Sequence, residues 1–462
     1  MTSPPSTASD AASDREDAGI RLSEVISALS YALDLTEGQT EGHSVRSCLI
    51  GMRIGRELGL GGEALSSLFY ALLLKDAGCS SNAARTCELF AADDLAVKRS
   101  WKTVDWSRGW DAFVHVAQNA GAGLGVAERV RRVAAFATAG PVGTELVQTR
   151  CERGAGIARL LGFSDETAQA IHALDEHWDG GGKPLGLSGE GIPLLARIAC
   201  LAQTVEIFHR AGGVREAVGV ARRRAGRWFD PALVRVVESM SLGDEPWRTL
   251  ASGDAAGALA ALEPEDRVMM AGDARIDGVA EAFAQVIDAK SPYTFRHSEG
   301  VARWAVETGR VLGFGPERLA ELRRAALLHD IGKLGVSNRI LDKPAALTEA
   351  EMAVVRRHPE YTARILSRVG RFRELAEVAG AHHERMDGRG YHRGIPAGTL
   401  PVDARILAVA DVYDALSASR PYREALPHER VMEIMRAGAG PGTCPECFAA
   451  LCVAVDGAAP AA

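Results

Sequence analysis

Residues 322–332 read LRRAALLHDIG, and residues 68–78 read LFYALLLKDAG. Each is an apolar stretch that runs into a turn through a polar residue, an aspartate and a glycine. Apolar positions three and four apart describe a helix face, and the glycine marks its end. The separation of 254 residues recurs upstream, where GHSVRSCLIGMRIGRELGLG (42–61) parallels RHSEGVARWAVETGRVLGFG (296–315). Downstream, DEHWDGGGKPLGLSGEGIPLLARIACLAQ (175–203) parallels HERMDGRGYHRGIPAGTLPVDARILAVAD (383–411) at a separation of 208. The chain is thus an internal repeat whose first copy carries about 46 extra residues between Ser81 and Thr149. That insertion contains Trp101, Trp106 and Trp110, which predict core aromatics. Alternating β-branched runs are scarce, so the fold class is all-α, two tandem helical domains of one type.

The expected boundaries are a disordered polar tail over 1–18, a first domain over 19–240, a linker over 241–275, a second domain over 276–440 and a C-terminal tail over 441–462. The linker is placed by clusters of Gly, Asp, Ala and Pro with weak periodicity. A net charge of −7 over 462 residues leaves no broad cationic surface for a long nucleic acid. A small anionic nucleotide stays compatible, because bound metal ions supply local positive charge. The 8 cysteines are scattered and read as reduced thiols. Cys444-Pro-Glu-Cys447 has metal-ligand spacing but no second ligand pair, so it is read as packing in a terminal helix. The N-terminus lacks the basic start and apolar stretch of a signal peptide, and Leu68 to Leu74 is far short of the ~20 residues needed to cross a bilayer. The expectation is a cytoplasmic protein with no membrane insertion.

Chemistry concentrates in the second copy. His297, His329, Asp330, His358, His382, His383 and Asp411 are more ligand-type residues than one ion uses, and five imidazoles with two carboxylates suit a pair of ions bridged by one carboxylate. His329-Asp330-Ile331-Gly332-Lys333 joins a helix end, a turn and a cation suited to a phosphate. His382 to Tyr391 runs from a ligand-bearing helix into a glycine-rich loop. Its Gly390 permits close approach of a nucleotide, and Tyr391 offers a face for a base.

These motifs, together with SPYTFRHS, LDKPAALTEAE, HPEYTARIL, ARILAVADVYDAL and RPYREA, resemble the HD-GYP subgroup of the HD phosphohydrolases over roughly 145 residues. The resemblance implies an all-α phosphodiesterase that hydrolyses cyclic di-GMP to linear pGpG, and onward to GMP, through a metal-bridging hydroxide. It implies that His297, His329 and Asp411 hold one divalent ion, that His358, His382 and His383 hold the other, and that Asp330 bridges them. Iron or manganese is favoured. Lys333, Gly390, Tyr391, Arg420 and Arg423 fall on positions that contact the dinucleotide, and Asp330 and Lys333 on the catalytic ones. Two positions depart from the pattern. The GYP tripeptide reads Gly390-Tyr391-His392, which removes a stiffening proline, and Tyr293 stands where a third-metal glutamate would be. The first departure keeps two alternatives open: a metal-bound nucleotide sensor or scaffold with little turnover, and a hydrolase of another phosphoester.

In the first copy only His43 and Asp76 remain of the ligand set. Lys75, Arg150, Leu174, Asp175 and Gln203 replace His329, His358, His382, His383 and Asp411, and Cys79 replaces Lys333. This copy is expected to be non-catalytic, with Lys75 pairing to Asp76 or Asp175 in place of a metal's charge. Its expected roles are structural, as in a homodimer, or regulatory, through a ligand or partner. The loop WDGGGKPLGLSGEGIP (178–193) is the place read for a ligand.

Overall fold

The computed structural model describes residues 19–138, 142–240, 245–252, 255–294, 296–419 and 424–458. The expected polar tail 1–18 lies outside them, as do Arg420 and Arg423. Helices make up almost all of the regular structure, and the described strands form a two-residue antiparallel pair, Ile20–Arg21 with Met270–Ala271.

The repeat is visible element by element. Helices Leu22–Thr36, His43–Glu57 and Gly62–Leu74 in the first copy correspond to Asp273–Asp288, His297–Val311 and Pro316–Leu328 in the second. The histidine that opens the second helix of each set follows a residue in the left-handed region, Gly42 (φ 82°) and Arg296 (φ 56°). In both copies a buried aspartate from the preceding helix fixes the adjoining serine: Asp34 accepts from Ser44 at 2.7 Å, and Asp288 from Ser298 at 2.7 Å. Helices Val142–Leu160 and Leu194–Arg224 of the first copy correspond in order to His358–Leu366 and Val402–Ser417 of the second.

The insertion folds as helices Ala83–Phe90, Asp94–Trp101, Gly109–Asn119 and Val126–Thr138 around a small core of Phe90, Ala92, Val97, Val116 and Ala120. Trp101 and Trp106 pack against each other with ring centroids 4.0 Å apart. Trp110 is 72% exposed, against the expectation of a core residue; it stands in the first turn of helix Gly109–Asn119 with, among the described residues, only the Phe113 ring, itself exposed, 5.7 Å away as an aromatic contact.

One continuous apolar core runs through both copies, from Leu22 to Val455. Helix Leu22–Thr36 of the first copy packs on the Ile331–Gly335 turn and on helix His358–Leu366 of the second. Polar contacts reinforce this seam. Glu41 receives Arg364 and Arg368, and the Arg368 guanidinium lies 3.6 Å from the Tyr31 ring centroid. The 241–275 segment contains helices Glu245–Ser252 and Ala255–Ala260 packed on helix His43–Glu57, and its Glu263 accepts from Ser23 (2.6 Å) and Tyr70 (2.8 Å). Apolar residues such as Trp247 and Leu259 give this connection its own buried face despite its loop-like composition. The 441–462 segment likewise contributes a packed helix, Pro445–Ala458, which lies on His297–Val311 and Val402–Ser417. Cys444 and Cys447 are buried in the core beside Phe448 and Leu451.

Candidate metal centre

The second copy brings all seven expected ligands into one buried cluster. His297 opens a helix, His329 and Asp330 follow the end of Pro316–Leu328, and His358 opens another helix. His382 and His383 come just after Arg373–Gly380, and Asp411 projects from within Val402–Ser417. Adjacent residues inside a helix diverge by about 100°, and leaving the helix before His382 lets the two neighbouring rings share a site, with centroids 4.2 Å apart.

The donor atoms fall into two groups, His297–His329–Asp330 and His358–His382–His383, each within 4.8 Å. Asp330 sits between them. Its Oδ2 is 3.4 Å from His329 Nε2 and 4.0 Å from His297 Nε2, while its Oδ1 is 3.3 Å from His358 Nε2 and 3.6 Å from His382 Nε2. Asp411 Oδ1 lies 3.1 Å from His297 Nε2 and 3.9 Å from His329 Nε2, on the first group's side.

The backbone sets which ring nitrogen faces inward. The Nδ1–H groups of His329, His358 and His382 donate to the carbonyls of Ala326 (2.6 Å), Val355 (2.7 Å) and Ala379 (2.6 Å). Each Nε2 is thereby turned to the centre, the orientation a metal ligand requires. His297 directs Nδ1 to Asp414 at 2.6 Å instead. Burial depresses His358 to a pKa of about 4, and burial with the neighbouring His382 pushes His383 down as well, so both rings are neutral donors at pH 7. For Asp330, burial acts to raise the pKa, but His329 and Lys333 outweigh it and hold the carboxylate ionised. The buried His329 Nε2 and Asp330 Oδ1 have no hydrogen-bond partner. Inward-facing imidazoles, shared carboxylates and unpaired buried donor atoms together fit a pair of divalent cations.

Beside this centre, Lys333 places Nζ 2.5 Å from Asp330 Oδ2 and remains partly exposed. Tyr391 leans on His383, centroids 4.7 Å apart, and the Arg356 guanidinium lies 5.3 Å from the Tyr391 ring. A Cβ at Gly390 would meet Glu384 Cα at 2.5 Å, so only glycine lets the loop lie this close. His392 has φ 67°, in the left-handed region.

Several supporting residues escaped the sequence reading. Asp414, which orients His297, stands one helical turn after Asp411, and a Cβ at Gly300 would occupy its carboxylate position. That glycine, three residues after His297, was the available signal. Glu384 holds the glycine loop by accepting from the backbone N–H groups of Arg393 (2.9 Å) and Ile395 (3.1 Å). Thr362 joins the His329 carbonyl to the Gly332 N–H.

The first copy keeps the frame and loses the donors. His43 still bonds an acid, Glu206, and Glu176 still accepts from Leu185 and Leu187 as Glu384 does from Arg393 and Ile395. Lys75 and Lys102 pair with Asp76, and Arg150 pairs with Asp175. Glu37, Asp76 and Cys79 lie within ligand distance of one another, but cationic side chains already neutralise the two carboxylates.

The profile of the HD domain family matches residues 129–233 and 281–442, one segment in each copy. The chain is 46% identical over 431 residues to "3'3'-cGAMP-specific phosphodiesterase 3" of Vibrio cholerae, covering 93% of this chain and 94% of that protein. It is 36% identical over 170 residues to "Cyclic di-GMP phosphodiesterase" of Thermotoga maritima, covering 36% and 46% of the two chains. A crystal structure of a cyclic GMP-AMP specific phosphodiesterase from V. cholerae superposes with a TM-score of 0.66 at 39% identity, covering 95% of this chain and 98% of that one.

Proposed function

The chain belongs to the HD domain family, and from that premise we propose that its second copy is a metal-dependent phosphodiesterase that opens the ring of a cyclic dinucleotide. The observation that carries this reading is Asp330, whose two carboxylate oxygens face two separate sets of imidazole donors. His297, His329 and Asp411 would hold one divalent ion, His358, His382 and His383 the other, and Asp330 both. When bound, such a pair supplies a nucleophile at neutral pH and neutralises charge that develops on the phosphoryl oxygens. The nitrogen and oxygen donors, seven for two ions, are compatible with iron or manganese, the metals expected from the motifs.

The protein's own groups do the rest. Backbone carbonyls and Asp414 keep the imidazoles in one orientation, so no reorganisation is needed as substrate arrives. Lys333, at the edge of the centre, meets a phosphoryl oxygen as a point charge. Tyr391, backed by Arg356, offers a stacking face for one base, and Gly390 keeps the loop against the centre. The likeness that spans both copies is to a protein named for 3'3'-cGAMP, whereas the Thermotoga cyclic di-GMP relative matches 36% of the chain. This supports 3'3'-cGAMP as the preferred substrate beside the cyclic di-GMP expected from the motifs.

The test is metal content and hydrolysis of both dinucleotides on protein purified without oxygen, with His329→Ala/Asp330→Ala as the control. About two metals per chain, with ring opening lost in the control, is the expected result. Metal without turnover on either substrate would favour the second reading, a nucleotide sensor. The left-handed His392 in place of the GYP proline is the observation behind that alternative.

A further inference from the structure

Outside the metal centre, the observations converge on the first copy. A cavity of about 320 Å³ lies where that copy's own centre would be, between the Gly181–Lys183 loop, helix Leu194–Arg224 and the inserted helices. Its volume is within the range of small-molecule sites. Its walls include the Trp101–Trp106 pair and Trp228, which is stacked on His177 at 4.1 Å with 22° between the ring planes.

Three lining residues bury a polar atom that has no hydrogen-bond partner: Gln203 Oε1, His177 Nδ1 and Trp228 Nε1. Gln203 and His177 are only 8% and 9% exposed. Buried polar groups are ordinarily paired, and these three unpaired ones all belong to residues that line one cavity. They offer an indole donor, an amide and an imidazole beside flat aromatic faces, which together suit the hydrogen-bonding edge and the plane of a nucleobase. The charge balance is also suitable. Among the charged side chains that line the cavity, Lys102, Arg150 and the exposed Lys183 stand against Asp175. That surplus favours a phosphate monoester without a metal.

We propose that this cavity binds a purine nucleoside monophosphate, and that occupancy is communicated to the second copy. The link is helix Asp94–Trp101. Trp101 lines the cavity at one end, while the buried Asp94 at the other accepts from Ser337 Oγ and the Asn338 N–H, both at 2.7 Å, and pairs with Lys290 at 3.4 Å. Ser337 follows the Ile331–Gly335 turn that carries Lys333. A ligand that shifts this helix therefore acts on the turn beside the metal centre. The binding claim is independent of the proposed hydrolysis, whereas the communication claim rests on it.

Tryptophan fluorescence and calorimetric titration of the full chain with GMP and AMP test binding, in an Asp330→Asn background that disables the second copy. Guanosine and ribose 5-phosphate separate the base from the phosphate. A saturable signal is expected, weakened about tenfold or more by Gln203→Leu (~1.4 kcal/mol) and severalfold by the exposed Lys183→Ala, which tests the site should the buried variant fail to fold. No saturable signal from GMP or AMP at millimolar concentration overturns the site, as does binding that both variants leave unchanged. In the otherwise unsubstituted chain, GMP is expected to alter ring-opening rates at least twofold, and Gln203→Leu to remove that response. Binding with no such response, on a chain that hydrolyses its substrate, overturns the communication and leaves the site.

Discussion

The two copies share a frame and differ in how they neutralise its centre. Each has a histidine at a helix start bonded to an acid one long helix away, His43 to Glu206 and His297 to Asp414. Each has a glutamate accepting two backbone N–H groups of the glycine loop, and an aspartate just past the third helix. Around Asp330 stand imidazoles whose Nε2 atoms point inward. Around Asp76 stand Lys75 and Lys102, with Arg150 on nearby Asp175. Ammonium and guanidinium groups offer the carboxylates positive charge but cannot activate a water molecule as a metal ion does. The two centres thus differ in charge carrier while keeping the same histidine–acid bond and glycine-loop fastening.

The sharpest way to break this contrast is to neutralise the central aspartate in each copy. Asp330→Asn is expected to lower hydrolysis by about 10³-fold or more, with loss of bound metal measured by elemental analysis. Asp76→Asn strands the buried Lys75, while Lys102 keeps Glu37 at 3.1 Å, and should instead cost about 3–5 kcal/mol of stability, read by denaturant unfolding, with turnover of the folded fraction kept. Equal loss of activity in both would mean that the first copy takes part in the chemistry. One level out, Asp414→Asn should weaken metal binding about 10–100-fold by releasing His297, whereas Glu206→Gln should leave metal content unchanged.

Acid separates the copies differently. In the first, burial raises the pKa of Glu37, but Lys102 and Lys98 outweigh this and lower it from 4.5 to about 2. A group depressed in the folded state contributes stability that is complete above its unfolded pKa and is lost as pH falls through the folded one. Unfolding free energy should thus fall between about pH 4.5 and 2, and this slope should be shallower in Glu37→Gln. The smallest effect concerns the glycine loops, Gly182-Lys183-Pro184 in the first copy and Gly390-Tyr391-His392 in the second. Proline is confined to φ near −65° and cannot adopt the 67° of His392. His392→Pro is therefore expected to disturb the loop by about 1–3 kcal/mol, seen as a raised KM rather than as restored activity.

The repeat, the helical class and the seven residues that cluster at the second copy's centre were legible in the sequence because they rest on period, order and residue type. The two-sided use of Asp330 needed the fold, since it depends on which carboxylate oxygen faces which ring. Asp414 and Glu384 passed unnoticed as acids in a chain with 60 of them. The 178–193 loop contributes Gly181 to Lys183 to the cavity wall, but the cavity also includes Trp101 and Trp106 from the insertion, and no alignment between copies reaches those residues. The connecting segment and the C-terminal helix were under-read because small residues give weak periodicity even where they pack. Trp110 failed for the opposite reason, since an aromatic side chain is no guarantee of burial.

The core that runs from Leu22 to Val455 makes the molecule indivisible in a way that its internal repeat does not suggest. A catalytic fragment cut at residue 275 would bare the surface that helix Leu22–Thr36 now covers, directly over the turn that carries Lys333. The chain reads as two copies, but heating should register one cooperative transition, and neither half is free to be traded as a module for another protein's domain.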